Sequence, residues 1–220
     1  MSLSLNKPSD LNEWAYNVIK LRILNNEITP GTQLKIEELS SEMNISRTPI
    51  REALLHLVRD NLVDVRSRVG FFVRGITHKE AADLFELRSV IESYAAMVAA
   101  KNLKPEHLKE LYHLHDLTII AIKKNDYASF NKHDTAMHSL LIDNLGNQAV
   151  RNAMNNVGDC LYRQRIYALN YKDNVEMSIK EHEFILNAIA EKNPSDAHHF
   201  MEKHISGIAS RLMNASEFQN

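Results

Sequence analysis

The helical spacing of apolar residues from residue 77 to about residue 215 constrains the fold more than any other feature of this sequence. Short turn signals interrupt it at Lys104-Pro105, Asn125, Gly146-Asn147, NYKDNVEM (170–177) and Asn193-Pro194. Between these signals the pattern predicts helices near 77–101, 105–124, 126–144, 147–169, 178–192 and 194–215. Thr77 and Glu80 have the spacing of a capping box at the first of them. Residues 75–220 are therefore predicted to form an all-α antiparallel bundle of about six helices.

Residues 1–74 show a different pattern, in which short helices are followed by two short strands. A helix that begins at Asp10 precedes a second helix over residues 36–43, and Asn44 tolerates the left-handed backbone of a tight turn. Ser46 is placed to cap a third helix. After it, LVDV and GFFVR are typical of two strands around the tip RSRVG. Three helices and a two-stranded wing predict a winged helix-turn-helix, so the chain is predicted to be mainly α with two domains.

The third helix carries two arginines close to its start. Arg47, Thr48 and Arg51 share one face, and the apolar residues of the helix lie on the other. An arginine can bind guanine through two parallel hydrogen bonds, and the partial positive charge of a helix N-terminus favours a nearby phosphate. The pattern predicts a DNA recognition helix. The alternative is a solvated face whose charge is offset by Glu52 and Asp60.

The predicted wing carries two further arginines, Arg66 and Arg68, which we expect to follow the DNA backbone or to enter the minor groove. Between residues 47 and 74 there are six arginines, three acidic residues and no lysine. Because this excess of positive charge is small, binding would depend on local geometry more than on long-range attraction.

Three stretches of the first domain resemble the DNA-binding domain of the GntR family of bacterial transcription regulators. They are Pro30-Gly31, the run SRTPIREAL at residues 46–54 and the end of the wing at residues 70–73. The resemblance implies that Arg47, Thr48 and Arg51 contact DNA and that Gly70 lets the wing approach it closely. Asn44 replaces the glycine usual in the turn. Glu37 stands where some relatives carry a DNA-contacting arginine, so the operator sequence cannot be transferred from them.

Four residues of the helical domain have the spacing of a metal site. Asp134 and His138 project from one helix face. His182 and His204 each lie eleven residues from Asn193, so they stand at about the same height in an antiparallel hairpin that turns there. Three imidazoles and a carboxylate suit a divalent transition metal, with zinc, nickel and manganese as candidates. The alternative is that these histidines are ordinary core residues.

The helical domain also resembles the FCD ligand-binding domain of the FadR-like subfamily. The resemblance lies in ELRSVIE (86–92), DTAMH (134–138), EH (181–182) and KHI (203–205). It implies a metal at the four residues above and an effector bound beside it.

Arg88 lies on an inner stripe of the first helix of this domain, where a buried guanidinium needs an anionic partner. We expect Arg88 to bind a ligand carboxylate beside the metal, and Glu92, one turn later, is the structural alternative. Tyr162 and Arg163 are predicted to line the same cavity. Five histidines match no ligand position and are expected to face solvent: His113, His115, His133, His198 and His199.

The predicted function is that of a ligand-responsive DNA-binding transcription regulator, a repressor as is usual in the family, which senses a small organic acid. One recognition helix contacts too few bases for specificity, so we expect a homodimer on a palindromic operator. No apolar run approaches the ~20 residues of a membrane span. The single cysteine cannot form an internal disulfide, so we expect a cytoplasmic location and no membrane partner. Two alternatives stay open, a metal-free regulator that senses an acyl or apolar effector and a helical metalloenzyme with a metal-activated water.

Overall fold

The computed structural model describes residues 10–158 and 172–213. The chain forms two compact units and passes from one to the other between Gly75 and Ile76. Within the described ranges, no helix is both long enough and apolar enough to cross a membrane.

The first unit contains three helices and a small sheet. Its elements are α1 (Leu11–Leu24), β1 (Gln33–Leu34), α2 (Ile36–Met43), α3 (Arg47–Arg59), β2 (Val63–Arg66) and β3 (Gly70–Val73). α1 and α2 both pack against α3, because Ile50, Leu54 and Leu57 form a fully buried apolar stripe along it. The predicted winged helix-turn-helix is confirmed.

The sheet has one strand more than predicted. β3 pairs antiparallel with β2 along the wing and with β1 along its other edge, so the strand order is β1-β3-β2. β1 has only two residues, which is too short for an alternating pattern to be visible in the sequence. It forms because the free edge of β3 offers backbone hydrogen-bonding partners.

The turn before α3 follows the prediction, but the capping of α3 does not. Asn44 takes the left-handed conformation, with φ 50° and ψ 48°. Ser46 occupies the N-cap position, yet its side chain makes no capping hydrogen bond. A serine cap commonly binds the N–H of the third helical residue, and here that residue is Pro49, which has no N–H.

The second unit consists of six helices in the part of the chain that the structure describes. They are α4 (His78–Asn102), α5 (Pro105–Lys123), α6 (Tyr127–Asp143), α7 (Gln148–Asn156), α8 (Lys172–Ala190) and α9 (Pro194–Met213). The capping box of Thr77 and Glu80 is present at the start of α4. α4 packs extensively against α9, α8 forms a hairpin with α9, and α5 packs against α6. The predicted all-α bundle is confirmed.

The stretch NYKDNVEM was predicted to separate two helices, and for residues 172–177 this prediction is wrong; residues 170 and 171 lie outside the described residues. α8 begins at Lys172, inside that stretch. Val175, Ser178 and His182 are buried at helical spacing, so the stretch continues the inner face of α8. The stretch contains no glycine or proline that would end a helix. The helix predicted over 147–169 is described only as α7, because residues 159–171 lie outside the described ranges.

Candidate DNA-binding face and candidate metal centre

The first two turns of α3 present a basic face to solvent. Arg47, Thr48 and Arg51 are all exposed, whereas Ile50 and Leu54 on the opposite side are fully buried. Core packing thus leaves both guanidinium groups uncovered beside the N-terminus of α3, where the helix dipole also attracts anions. This is the placement that a recognition helix requires.

An acidic residue from α2 lies beside this basic face. Oε1 of Glu37 is 3.6 Å from Nη1 of Arg47, and the two side chains are 64% and 72% exposed. Exposed ion pairs contribute only ~0–1 kcal/mol, so a DNA phosphate can displace Glu37 at small cost. Asp60, one of the acids expected to offset the basic face, instead accepts a hydrogen bond from the hydroxyl of Tyr16.

The wing holds its two arginines in different ways. The guanidinium carbon of Arg66 lies 4.0 Å from the ring centroid of Phe72. This stacking covers a flat face of the guanidinium and leaves its N–H edge able to bind phosphate. Arg68 is exposed at the tip of the wing, in the left-handed conformation with φ 62°.

Gly70 has a structural role within the wing itself. Its φ is 131°, which side-chain-bearing residues rarely adopt, and a Cβ added there would lie 3.3 Å from Nε2 of Gln33. That nitrogen donates a 3.0 Å hydrogen bond to the carbonyl of Val69, so β1 supports the wing tip. The predicted approach of Gly70 to DNA stays a prediction.

Three histidines from three helices meet in the interior of the helical unit. His138 lies on α6, His182 on α8 and His204 on α9, and none is more than 3% exposed. Each offers a ring nitrogen, and these nitrogens all lie within 4.8 Å of one another. Nε2 of His182 is 3.2 Å from Nε2 of His204. Two nitrogens bound to one ion at ~2.0–2.1 Å stand about 3.0–3.4 Å apart, so this separation matches metal ligation.

Asp134 lies at the edge of the same cluster. Its Oδ1 is 3.6 Å from Nε2 of His182 and 3.9 Å from Nε2 of His138. Neither ring nitrogen of His138 makes a hydrogen bond of regular geometry among the described residues: Nδ1 lies against Glu92, whereas the buried Nε2 faces the other two histidines. A buried polar atom of this kind is uncommon and points to a missing ligand. The four residues predicted as metal ligands are therefore close in space, and their donor set fits a divalent transition metal.

Burial keeps two of the imidazoles neutral. It lowers the pKa of His182 well below the ordinary 6.5, and the neighbouring His204 lowers it further, against the opposite effect of Asp134. Burial also lowers the pKa of His204, although the hydrogen bond to Glu181 acts in the opposite direction. Neutral imidazoles bind metals without competition from protons, so both rings carry the neutral charge state that metal ligation requires near neutral pH.

A glutamate and an arginine lie on the Nδ1 side of the His204 ring. Nδ1 of His204 lies 2.7 Å from Oε2 of Glu181. Arg211 binds the same carboxylate through two hydrogen bonds of 3.0 and 3.2 Å. Burial would raise the pKa of the Glu181 carboxyl, but the hydrogen bonds from His204 and Arg211 outweigh this and lower it. Glu181 is therefore a carboxylate that accepts hydrogen bonds from both neighbours.

Arg88 and Glu92 form a similar arginine–glutamate pair on the Nδ1 side of the His138 ring. Nε of Arg88 lies 2.7 Å from Oε1 of Glu92, and the two side chains are 2% and 1% exposed. Oε2 of Glu92 is in close contact with Nδ1 of His138. Burial would raise the pKa of the Glu92 carboxyl, but the charge of Arg88 and the contact with His138 hold it well below its ordinary value. The structure thus gives Arg88 the intramolecular partner that was the alternative to a ligand carboxylate.

His115 was expected to face solvent, and this expectation is wrong. The residue is 4% exposed, and its ring centroid lies 6.2 Å from that of His182. Neither ring nitrogen has a hydrogen-bond partner within the described ranges, although Oε1 of Glu183 is 3.8 Å from Nε2. The sequence held a signal for its burial, because His115 shares a helical stripe with the buried residues Leu111 and Thr118.

The other four histidines that were expected to face solvent differ in their exposure. His113 and His199 are exposed, as expected, whereas His133 and His198 are half-buried. Tyr162 and Arg163, predicted to line the ligand cavity, lie outside the described residues.

A winged helix-turn-helix with exposed arginines at the start of its third helix is the architecture typical of DNA-binding transcription regulators. The chain belongs to the GntR family: the model of bacterial regulatory proteins of the gntR family matches residues 11–73, and that of the FCD domain matches residues 83–207. The FCD match lies within the helical unit that contains the histidine cluster.

Relatives and solved structures agree with this assignment. The chain is 26% identical over 214 residues to the uncharacterized HTH-type transcriptional regulator YdhC of Bacillus subtilis, covering 97% of this chain and 96% of YdhC. It is also 26% identical to the HTH-type transcriptional repressor RspR of Escherichia coli, over 93% of this chain and 90% of RspR. A GntR regulator structure from Rhodococcus sp. RHA1 shares the fold with a TM-score of 0.76, at 20% identity, covering 93% of this chain and 98% of that one. The metalloenzyme alternative is therefore rejected.

Proposed function

We propose that this regulator is a repressor whose helical unit binds a divalent transition metal and senses a small carboxylate effector at that metal. The observation that carries the proposal is the convergence of three buried histidines with Asp134 beside them. Asp134, His138, His182 and His204 would hold the ion, and zinc, nickel and manganese remain candidates. Four protein ligands leave coordination positions for an effector when the ion takes five or six ligands.

The charges around the cluster favour an anionic effector. Arg88 offsets Glu92, and Arg211 offsets Glu181, so neither pair contributes net charge. A divalent ion with neutral imidazoles and the single carboxylate of Asp134 would leave about one positive charge buried. Uncompensated buried charge is unfavourable, so a monocarboxylate that binds the ion would balance the site.

A metal held by these four residues would supply a Lewis-acidic point for a carboxylate oxygen, and the buried residues around it would orient the effector. Arg88 is committed to Glu92 in the structure, so we place the effector carboxylate at the metal and leave a direct contact from Arg88 as a prediction. Tyr162 and Arg163 remain predicted contacts to the rest of the effector.

On the DNA side, we propose that Arg47, Thr48 and Arg51 read bases while Arg66 and Arg68 contact the backbone beside the wing. Their exposure supports this assignment. A cytoplasmic homodimer would place two recognition helices on the half-sites of a palindromic operator. Effector binding would then favour one arrangement of the two recognition helices over another and so change operator affinity. The repressor RspR among the relatives supports repression rather than activation.

Metal content is the measurement that tests the proposal. We would measure it by mass spectrometry on tag-free protein that was never exposed to a nickel column. About one metal per chain is expected in the wild type and in the control His199→Ala, which alters an exposed histidine, but not in His182→Ala. Wild-type protein without metal would contradict the proposal and favour the alternative of an acyl or apolar effector.

The effector class is tested on the same protein. Thermal unfolding of metal-loaded and metal-stripped protein would be followed with a panel of small carboxylates and with their amides. Stabilisation by carboxylates alone, and only with metal present, is the expected result. Equal stabilisation by acids and amides would contradict a carboxylate that binds the metal.

A further inference from the structure

Two arginine–glutamate pairs lie next to the histidine cluster, and in each pair the arginine binds the glutamate and the glutamate contacts a histidine. On one side, Arg211 binds Glu181 and Glu181 contacts Nδ1 of His204. On the other side, Arg88 binds Glu92 and Glu92 contacts Nδ1 of His138. In both cases the carboxylate lies on the side of the ring away from Nε2.

We propose that Glu181 and Glu92 are positioning residues of the metal centre, each of which fixes the proton of its histidine on Nδ1 and turns the lone pair of Nε2 toward the ion. The proposal rests on the metal centre proposed above. A carboxylate can only accept hydrogen bonds, so the imidazole nitrogen that faces it must carry the proton. The other ring nitrogen of a neutral imidazole then has the free lone pair that a metal requires.

The arginines keep each carboxylate ionised and oriented. Arg211 binds both oxygens of Glu181, at 3.0 and 3.2 Å, so this carboxylate cannot rotate away from His204 without breaking a bidentate pair. Arg88 binds Oε1 of Glu92 at 2.7 Å and Oε2 at 3.4 Å, and the same Oε2 contacts Nδ1 of His138. Both arginines thus influence the metal ligands indirectly, because each one holds the glutamate that contacts a histidine.

His182 differs from the other two histidines. Its Nδ1 is buried and has no hydrogen-bond partner among residues 10–158 and 172–213, while its Nε2 faces Nε2 of His204 at 3.2 Å. Since the proton of His204 is on Nδ1, its Nε2 is an acceptor, and the proton of His182 must therefore be on Nε2 in the metal-free protein. Metal binding then requires His182, and neither of the other two, to exchange its tautomer.

The first test uses Glu181→Gln, which keeps the size of the side chain but removes its charge. Glutamine also offers an N–H group, so it no longer forces the proton of His204 onto Nδ1. The matched control is Glu183→Gln, two residues along the same helix, where the side chain is 56% exposed and lies 3.8 Å from His115, which is not one of the three clustered histidines. We expect Co²⁺ affinity, measured by competition with a chromophoric chelator, to fall about 10- to 100-fold in Glu181→Gln. The control should bind as the wild type does.

Glu92 is tested together with Arg88, because removing Glu92 alone would leave a buried arginine unpaired. The double variant Arg88→Met, Glu92→Gln removes both charges at once, and Glu86→Gln on the exposed face of α4 is the control. We expect the double variant to lose Co²⁺ affinity to a similar degree and to show altered visible absorption bands of bound Co²⁺. A role in folding alone would leave those bands unchanged.

Nitrogen-15 NMR of the histidine side chains in metal-free wild-type protein gives a readout that needs neither variant nor metal. We expect Nδ1–H forms for His138 and His204 and the Nε2–H form for His182. Nε2–H forms for His138 and His204 would overturn the proposal, and so would equal Co²⁺ affinities for Glu181→Gln and Glu183→Gln. A wild type that binds no Co²⁺ would instead overturn the metal centre itself, and the positioning role with it.

Discussion

Nε2 of His182 and Nε2 of His204 face each other at 3.2 Å across the hairpin of α8 and α9. Both residues lie eleven positions from Asn193 in the turn, so the rise of the helix brings them to the same height. His138 joins them from α6, and no spacing along the chain relates it to that hairpin. The cluster therefore combines one local relationship with one contact that only tertiary packing provides.

Replacing the central arginine of the recognition helix should weaken operator binding. An arginine that binds a base through two hydrogen bonds contributes about 1–3 kcal/mol, so Arg51→Ala should lower affinity roughly fivefold to more than a hundredfold. The operator would be selected from random DNA by the wild type, and affinity would be measured by fluorescence anisotropy. Arg59→Ala is the matched control, because it removes the same charge from an exposed position at the other end of α3. Equal losses in the two variants would contradict a base contact by Arg51.

Removing the acid beside the recognition helix should tighten DNA binding. Glu37→Gln abolishes the 3.6 Å ion pair with Arg47, which frees this guanidinium for a phosphate. Since exposed pairs contribute at most about 1 kcal/mol, affinity for non-specific DNA should rise up to about fivefold. Glu38→Gln is the control, because Glu38 pairs with Lys35 instead, at 2.6 Å. Weaker binding by Glu37→Gln would show that Glu37 itself makes a favourable DNA contact.

Breaking the buried ion pair on α4 should destabilise the helical unit. Arg88→Met leaves Glu92 buried at 1% exposure without its cation, so the free energy of unfolding in urea should fall by about 3–5 kcal/mol. Adding Glu92→Gln should recover part of this loss.

The control for that prediction lies on the same helix. Lys79→Met breaks an ion pair with Asp83 in which both partners are largely exposed, so it should lower the free energy of unfolding far less than Arg88→Met does. If Arg88→Met were no more harmful than Lys79→Met, Arg88 would be available for a ligand after all.

Metal-free protein should lose stability as the pH falls below about 6.5. In the unfolded chain His182 and His204 bind protons near the ordinary histidine pKa of 6.5, whereas in the folded protein their lowered pKa values keep them neutral. The unfolded state therefore binds more protons in this window, and the free energy of unfolding decreases as the pH falls. The lowered pKa values of Glu92 and Glu181 act in a separate window, below the ordinary 4.5.

Thermal unfolding between about pH 7.5 and pH 5.5 checks this dependence. His182→Asn should show a smaller decline than the wild type, and His199→Asn, at an exposed position, should decline as the wild type does. Identical curves for all three proteins would contradict the assignment of the effect to the buried cluster.

The predictions from sequence succeeded where local rules decide the structure. Asn44 takes the left-handed turn, and Thr77 and Glu80 form their capping box, because both depend on residues within one turn of each other. The inner faces of α3 and α4 follow from helical spacing in the same way. The family resemblance also rested on contiguous motifs, which are visible in one chain.

Two of the failures concern features that depend on residues far apart in the chain. β1 exists only because β3 offers it an edge, and the partners of Arg88 could not be ranked until burial placed Glu92 beside both Arg88 and His138. The burial of His115 was not predicted, although its helical spacing with Leu111 and Thr118 indicated it. The capping of α3 failed for a local reason, the proline at its third residue.

By itself, the sequence determined most of the secondary structure of the two domains, the family and the identity of the four residues that could hold a metal, because periodicity and short motifs are properties of neighbouring residues. Only the tertiary structure decided that Glu181 stands behind His204, that Glu92 stands behind His138 and that His182 has no such partner among the described residues. Contacts of this kind join different helices, and their geometry is set by how the helices pack and not by any spacing along the chain.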